Sequence, residues 1–186
     1  MSRRAIRSCG LPGALLGGVL LLSACASGGP TGGGGAYVGG TVGLECAPFA
    51  RALSGVQLRG VADAWWDEAD GRYQRTSRPA IGSVLVLRRD GRLPYGHVAV
   101  VSRVLSGREI MVTQANWVHH RVTEDQPVVD VSRDNDWTLV RIWWPPAGQM
   151  GSYEYAAYGF IRPDRPFSHD EITSATPSAI RVAEGD

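Results

Sequence analysis

Sustained hydrophobic patterning occupies one stretch of this 186-residue chain, residues 42–163. Roughly 120 residues suit one compact domain. The flanks differ in kind. Residues 28–40 are glycine-rich with almost no apolar content; such a segment cannot offset its own ordering entropy and reads as a flexible tether over 25–41. Residues 164–186 are polar and weakly periodic, which predicts a frayed, disordered tail.

Residues 1–24 follow a targeting logic. Arg3, Arg4 and Arg7 precede an apolar run over 11–22 that is too short to remain as a bilayer span. Leu22-Ser23-Ala24-Cys25 comes next and resembles the lipobox of bacterial lipoproteins. The resemblance implies a signal peptide over 1–24, acylation of Cys25 and an anchor to the membrane through lipid. Several acyl chains hold firmly, because each buried CH2 contributes about 0.8 kcal/mol. Ala26 in place of aspartate points, by the usual sorting rule, to the outer membrane facing the periplasm. A net charge of +1 gives no sign of a nucleic-acid partner.

Within the domain, helices come first and strands afterwards. Cys46, Phe49, Ala50 and Leu53 recur at helical spacing, with Pro48 suited to a first turn and Gly55 to a helix end. A second short helix is predicted over 61–69. Strands are predicted over 83–88, 97–104, 109–117, 118–123, 138–143 and 158–162, with turns at Asp90-Gly91 and Ser106-Gly107. This order predicts an α+β domain in which N-terminal helices pack on an antiparallel sheet.

The chemistry centres on a thiol. Of three cysteines, Cys9 lies in the leader and Cys25 at the lipidation point, which leaves Cys46 without a disulfide partner. A lone thiol in an oxidising compartment is tolerated when inert and buried or when it is a nucleophile. At a helix start, the dipole and the free N–H groups favour thiolate and can hold an oxyanion. A free thiol is only a few per cent ionised at pH 7, so a base is needed. His97, opening a strand of β-branched and small residues after Gly96, is the candidate. Gln114 and Asn116 lie two apart on the next predicted strand and therefore project from one face, where either could orient the imidazole.

These segments resemble a known family. Glu45-Cys46-Ala47-Pro48-Phe49-Ala50-Arg51, Ala80-Ile81-Gly82-Ser83-Val84-Leu85-Val86, Gly96-His97-Val98-Ala99-Val100-Val101, Gln114-Ala115-Asn116-Trp117 and Tyr158-Gly159-Phe160-Ile161 are similar, in order, to CHAP domains, the cysteine, histidine-dependent amidohydrolases/peptidases. The resemblance implies a papain-like fold and a peptidoglycan hydrolase, an N-acetylmuramoyl-L-alanine amidase or an endopeptidase. Its nucleophile falls on Cys46 and its base on His97, with no metal or organic cofactor required. Many members carry glutamate where this chain has Gln114. A neutral amide orients imidazole but does not stabilise imidazolium. Papain-like enzymes work with an asparagine in that role, which makes Asn116 the preferred orienter.

Tyr95 and Trp117 flank the candidate site and are expected to touch substrate. Trp65-Trp66 and Trp143-Trp144 read as core or groove wall rather than sugar platforms. His119-His120 point opposite ways on a strand and lack a ligand-spaced cysteine pair, which argues against zinc. Asp134-Asn135-Asp136 lacks the glycine and glutamate of a calcium loop and reads as a turn. Three functions remain open: a lipid-anchored wall hydrolase, a degenerate domain that binds peptidoglycan or activates other hydrolases, and an acyl transferase that uses the same thioester. A regulatory protein partner is compatible with each.

Overall fold

The computed structural model describes residues 35–40 and 42–185. The expected leader, Cys9 and the expected lipidation point Cys25 lie outside the described residues. In chain order the elements are β1 (Tyr37–Val38), α1 (Cys46–Ser54), a 3-10 turn (Ala62–Ala64), α2 (Trp65–Glu68), β2 (Arg75–Thr76), β3 (Val84–Leu87), β4 (His97–Val104), β5 (Glu109–Ala115), β6 (Val122–Asp130), β7 (Leu139–Trp144), a second 3-10 turn (Pro145–Ala147), β8 (Gln149–Met150), β9 (Tyr155–Ile161) and α3 (His169–Glu184).

The expected α+β arrangement, papain-like helices laid on an antiparallel sheet, is corrected by the topology. Neighbouring strands run β6-β5-β4-β3-β9-β7, and β7 pairs back onto β6. Six strands, antiparallel throughout, therefore close into a barrel that dominates the fold. Closure requires pairing between distant segments, such as Val84 with Ile161 and Val129 with Arg141. Local periodicity carries no information about such pairings.

Two cores follow from strand alternation. Leu85, Leu87, Ala99, Val101, Ile110, Val112 and Phe160 fill the barrel interior. Val84, Val86, Val98 and Val100 point outward and pack with Phe49, Leu53 and Trp65 of the helical layer. Consecutive residues of β3 and β4 are thus buried on opposite faces, which explains runs of apolar residues without polar alternation.

The described parts of both flanks carry more regular structure than their composition predicts. Tyr37 and Val38, in the expected tether, pair with Thr123 and Val122 of β6. The expected tail contains the 16-residue helix α3, started by a capping box: the Ser168 hydroxyl accepts from the Glu171 N–H and the Glu171 carboxylate accepts from the Ser168 N–H. Ile172, Thr176, Ala179 and Ala183 form its buried stripe, and Ile172, Ala179 and Ala183 join the core that contains Phe49 and Leu53 of α1. The second predicted helix is present as the 3-10 turn and α2.

Candidate active site

Cys46 and His97 reach one cleft from different layers. Cys46 is the first residue of α1, whose cap residue Glu45 has extended backbone. His97 is the first residue of β4, directly after Gly96. Gly96 has φ +70°, and a Cβ there would come within 2.8 Å of the Asp63 nitrogen and the Leu87 carbonyl oxygen. Only glycine lets the chain turn into β4 this close to another backbone. Cys46, His97, Glu45, Arg92, Tyr95 and Asn116 all line a cavity of about 630 Å³.

The imidazole is 4% exposed. Its Nε2 lies 2.9 Å from Gln114 Oε1. An amide oxygen only accepts, so with Oε1 toward the ring Nε2 carries the proton and Nδ1 keeps its lone pair. Burial lowers the His97 pKa to about 4, with the Gln114 hydrogen bond acting in the opposite sense. Burial also pushes the Cys46 thiol up to about 11. The neighbouring Glu45 carboxylate adds to the rise, while the N–H groups of Val98, Cys46 and Ala47 oppose it. The thiolate expected from the helix dipole alone is therefore outweighed by desolvation. Around neutral pH both partners are uncharged.

Gln114 and Asn116 separate instead of sharing a role. β5 ends at Ala115, and Asn116 turns into the left-handed region at φ 60°. Its Nδ2 donates to Glu45 Oε2 at 2.9 Å and its Oδ1 accepts from the His120 N–H at 3.0 Å. Asn116, preferred as orienter from sequence, thus binds the residue before Cys46, and Gln114 holds the imidazole. Short polar side chains tolerate this backbone and hydrogen-bond locally, which is why asparagine fits here.

Tyr95 is 69% exposed at the cleft. Trp117 behaves as a wall. Its ring lies 5.1 Å from that of His97 and edge-on to Tyr155 at 5.2 Å, and its indole N–H donates to the Trp143 carbonyl at 3.1 Å. On its far side, Trp117, Trp144, Tyr153 and Arg92 line a second cavity of about 340 Å³. Arg92 borders both cavities and stacks its guanidinium on Tyr153 at 3.4 Å. Nothing in its turn sequence signalled that position. Trp65 is fully buried, and Trp66 stacks on Tyr158. Among the described residues no cluster of histidine, cysteine and carboxylate has the makeup of a metal site.

Residues 35–116 match the CHAP domain family, a span that contains Cys46, His97 and Gln114 and ends on Asn116. Among solved structures, the chain is similar to "The crystal structure of Ly7917" at 17% identity and a TM-score of 0.39, over 68% of this chain and 57% of that one. No curated protein matches the chain.

Proposed function

We propose that this chain, which carries a CHAP domain over residues 35–116, is a peptidoglycan hydrolase that opens an amide bond with Cys46 as nucleophile and His97 as base. The family is in general one of cysteine- and histidine-dependent amidohydrolases and peptidases that act on the cell wall. The observation that carries the finer reading is a single cleft lined by both residues, in which the far nitrogen of the imidazole is tied to Gln114.

With both groups neutral, the thiol gives its proton to Nδ1 as sulfur attacks the amide carbon, rather than resting as an ion pair. The S–C bond forms, and the carbonyl oxygen gains charge near the free N–H groups at the head of α1. His97 returns the proton to the leaving nitrogen as the C–N bond breaks. Water then loses a proton to His97 and attacks the thioester; the C–S bond breaks, leaving a free carboxylate and the restored thiol.

The alternative of binding without cutting drew its support from glutamine in the place of glutamate. The 2.9 Å bond to His97 favours hydrolysis, because the amide performs the orienting task. Incubation of the protein with purified peptidoglycan tests this reading. New amines and carboxylates that disappear with Cys46→Ser support it, and mass spectrometry of the muropeptides identifies the bond. Retention on the sacculus without products would favour the binding role. We further propose attachment to the outer membrane through Cys25, on the lipobox-like Leu22-Ser23-Ala24-Cys25. Incorporation of labelled palmitate that survives Cys25→Ser would refute it.

A further inference from the structure

Inside the barrel, next to the His97–Gln114 pair, three buried polar atoms lack a hydrogen-bond partner among the described residues: Gln114 Nε2, Thr123 Oγ1 and Gln126 Oε1. All three residues have zero exposure. The register explains why they converge. Gln114 pairs with Thr123 across β5 and β6, and Val112, two residues earlier on the same face, pairs with Gln126. Gln126 is therefore the diagonal neighbour of Gln114, a separation that long side chains bridge. The register slips between these two pairs, and Asp125 there has φ 49°. The extra residue keeps both Thr123 and Gln126 on the lumen side. Gln126 already donates its Nε2 to the Glu124 carbonyl at 3.1 Å, so its oxygen is the free end.

The three free atoms are complementary: an amide donor, an amide acceptor and a hydroxyl that does both. They matter because an amide, unlike a carboxylate, has a wrong way round. With Oε1 toward His97, Gln114 requires the proton on Nε2 and leaves Nδ1 able to receive one. Turned over, the same amide donates to Nε2 and forces the proton onto Nδ1, which then cannot take the proton of the thiol. A buried donor without an acceptor gives no preference between the two.

We propose that Gln126 is a positioning residue whose Oε1 takes up, through a shared water, the hydrogen bond offered by Gln114 Nε2, with Thr123 completing the group, and thereby sets the tautomer of His97. The proposal rests on the reading of His97 as base. It explains how a neutral side chain serves where many family members carry glutamate.

The test reads the imidazole by 15N NMR on the labelled full protein. In the wild type His97 is expected as the Nε2–H tautomer. Gln126→Met, which keeps volume and removes the acceptor, shifts a substantial fraction to the Nδ1–H form and lowers kcat on peptidoglycan by about tenfold, with KM within about twofold. Gln126→Glu, which keeps the oxygen, retains the wild-type tautomer. If Gln126→Met does not fold, Thr123→Val gives a smaller shift in the same direction. An unchanged tautomer in whichever variant folds overturns the proposal. Because this readout needs no substrate, a tautomer shift in a protein that releases nothing from peptidoglycan upholds the proposal while removing the hydrolase reading.

Discussion

Asn116 donates its side-chain amide to the Glu45 carboxylate at 2.9 Å, joining the loop after β5 to the residue at the cap position of the Cys46 helix. The asparagine thus acts on the sulfur side of the cleft and Gln114 on the imidazole side. Gln114→Ala is expected to lower kcat by roughly a hundredfold and Asn116→Ala by less than about tenfold. Steady-state kinetics of the two variants on peptidoglycan decides between the roles. The reverse ranking would return the orienting task to Asn116.

Burial of neutral His97 predicts that both activity and stability fall in acid. Between about pH 6.5 and about pH 4 the unfolded chain binds a proton that the native imidazole, with its pKa near 4, does not. Stability therefore declines as pH drops through that window, by roughly 3 kcal/mol in all, and levels off below it. Urea midpoints for the wild type and His97→Gln should converge as pH approaches 4. The acid limb of kcat/KM should fall near 4; a midpoint near 6.5 would mean a solvated imidazole.

The raised thiol predicts slow alkylation. At pH 7.5 iodoacetamide should modify Cys46 about two orders of magnitude more slowly than a free cysteine, and modification should abolish turnover. The linkage runs opposite to that of histidine: from about pH 9 to about pH 11 the native thiol keeps a proton that the unfolded chain has lost, so stability falls as pH rises. Fast alkylation at neutral pH would show a preformed thiolate.

Gly96→Ala places a methyl group against the Asp63 nitrogen and the Leu87 oxygen in a left-handed backbone. A loss of at least about 2 kcal/mol in urea unfolding is expected. Gly91→Ala, which meets nothing within 4 Å, is the control and should change stability by less than about 0.5 kcal/mol.

For α3, Ile172→Ala should cost about 2 to 4 kcal/mol and Ser168→Ala about 1 kcal/mol. Both effects vanish if this segment frays, and thermal or urea unfolding measures them directly.

The helix of Cys46 and the strand of His97 were legible because each is marked locally, by Pro48 and Gly55 in one case and by the β-branched run after Gly96 in the other. Asn116 misled because spacing by two assumes a continuous strand, and β5 stops one residue earlier at Ala115. The capping box of Ser168 and Glu171 was present in the sequence, yet Pro177 and the small residues on the buried stripe hid the helix behind it. Barrel closure was out of reach, since β7 pairs with both β6 and β9 through contacts that no local pattern encodes.

The two halves of the candidate pair are mounted on different elements, the sulfur on a helix and the imidazole on the barrel wall. That helix shares its core with α3 on the outside of the barrel. Loosening this outer layer is expected to move the sulfur away from the imidazole before the inner cylinder opens. Gentle heating should accordingly silence the protein before it melts, leaving an intact scaffold whose chemistry returns on cooling.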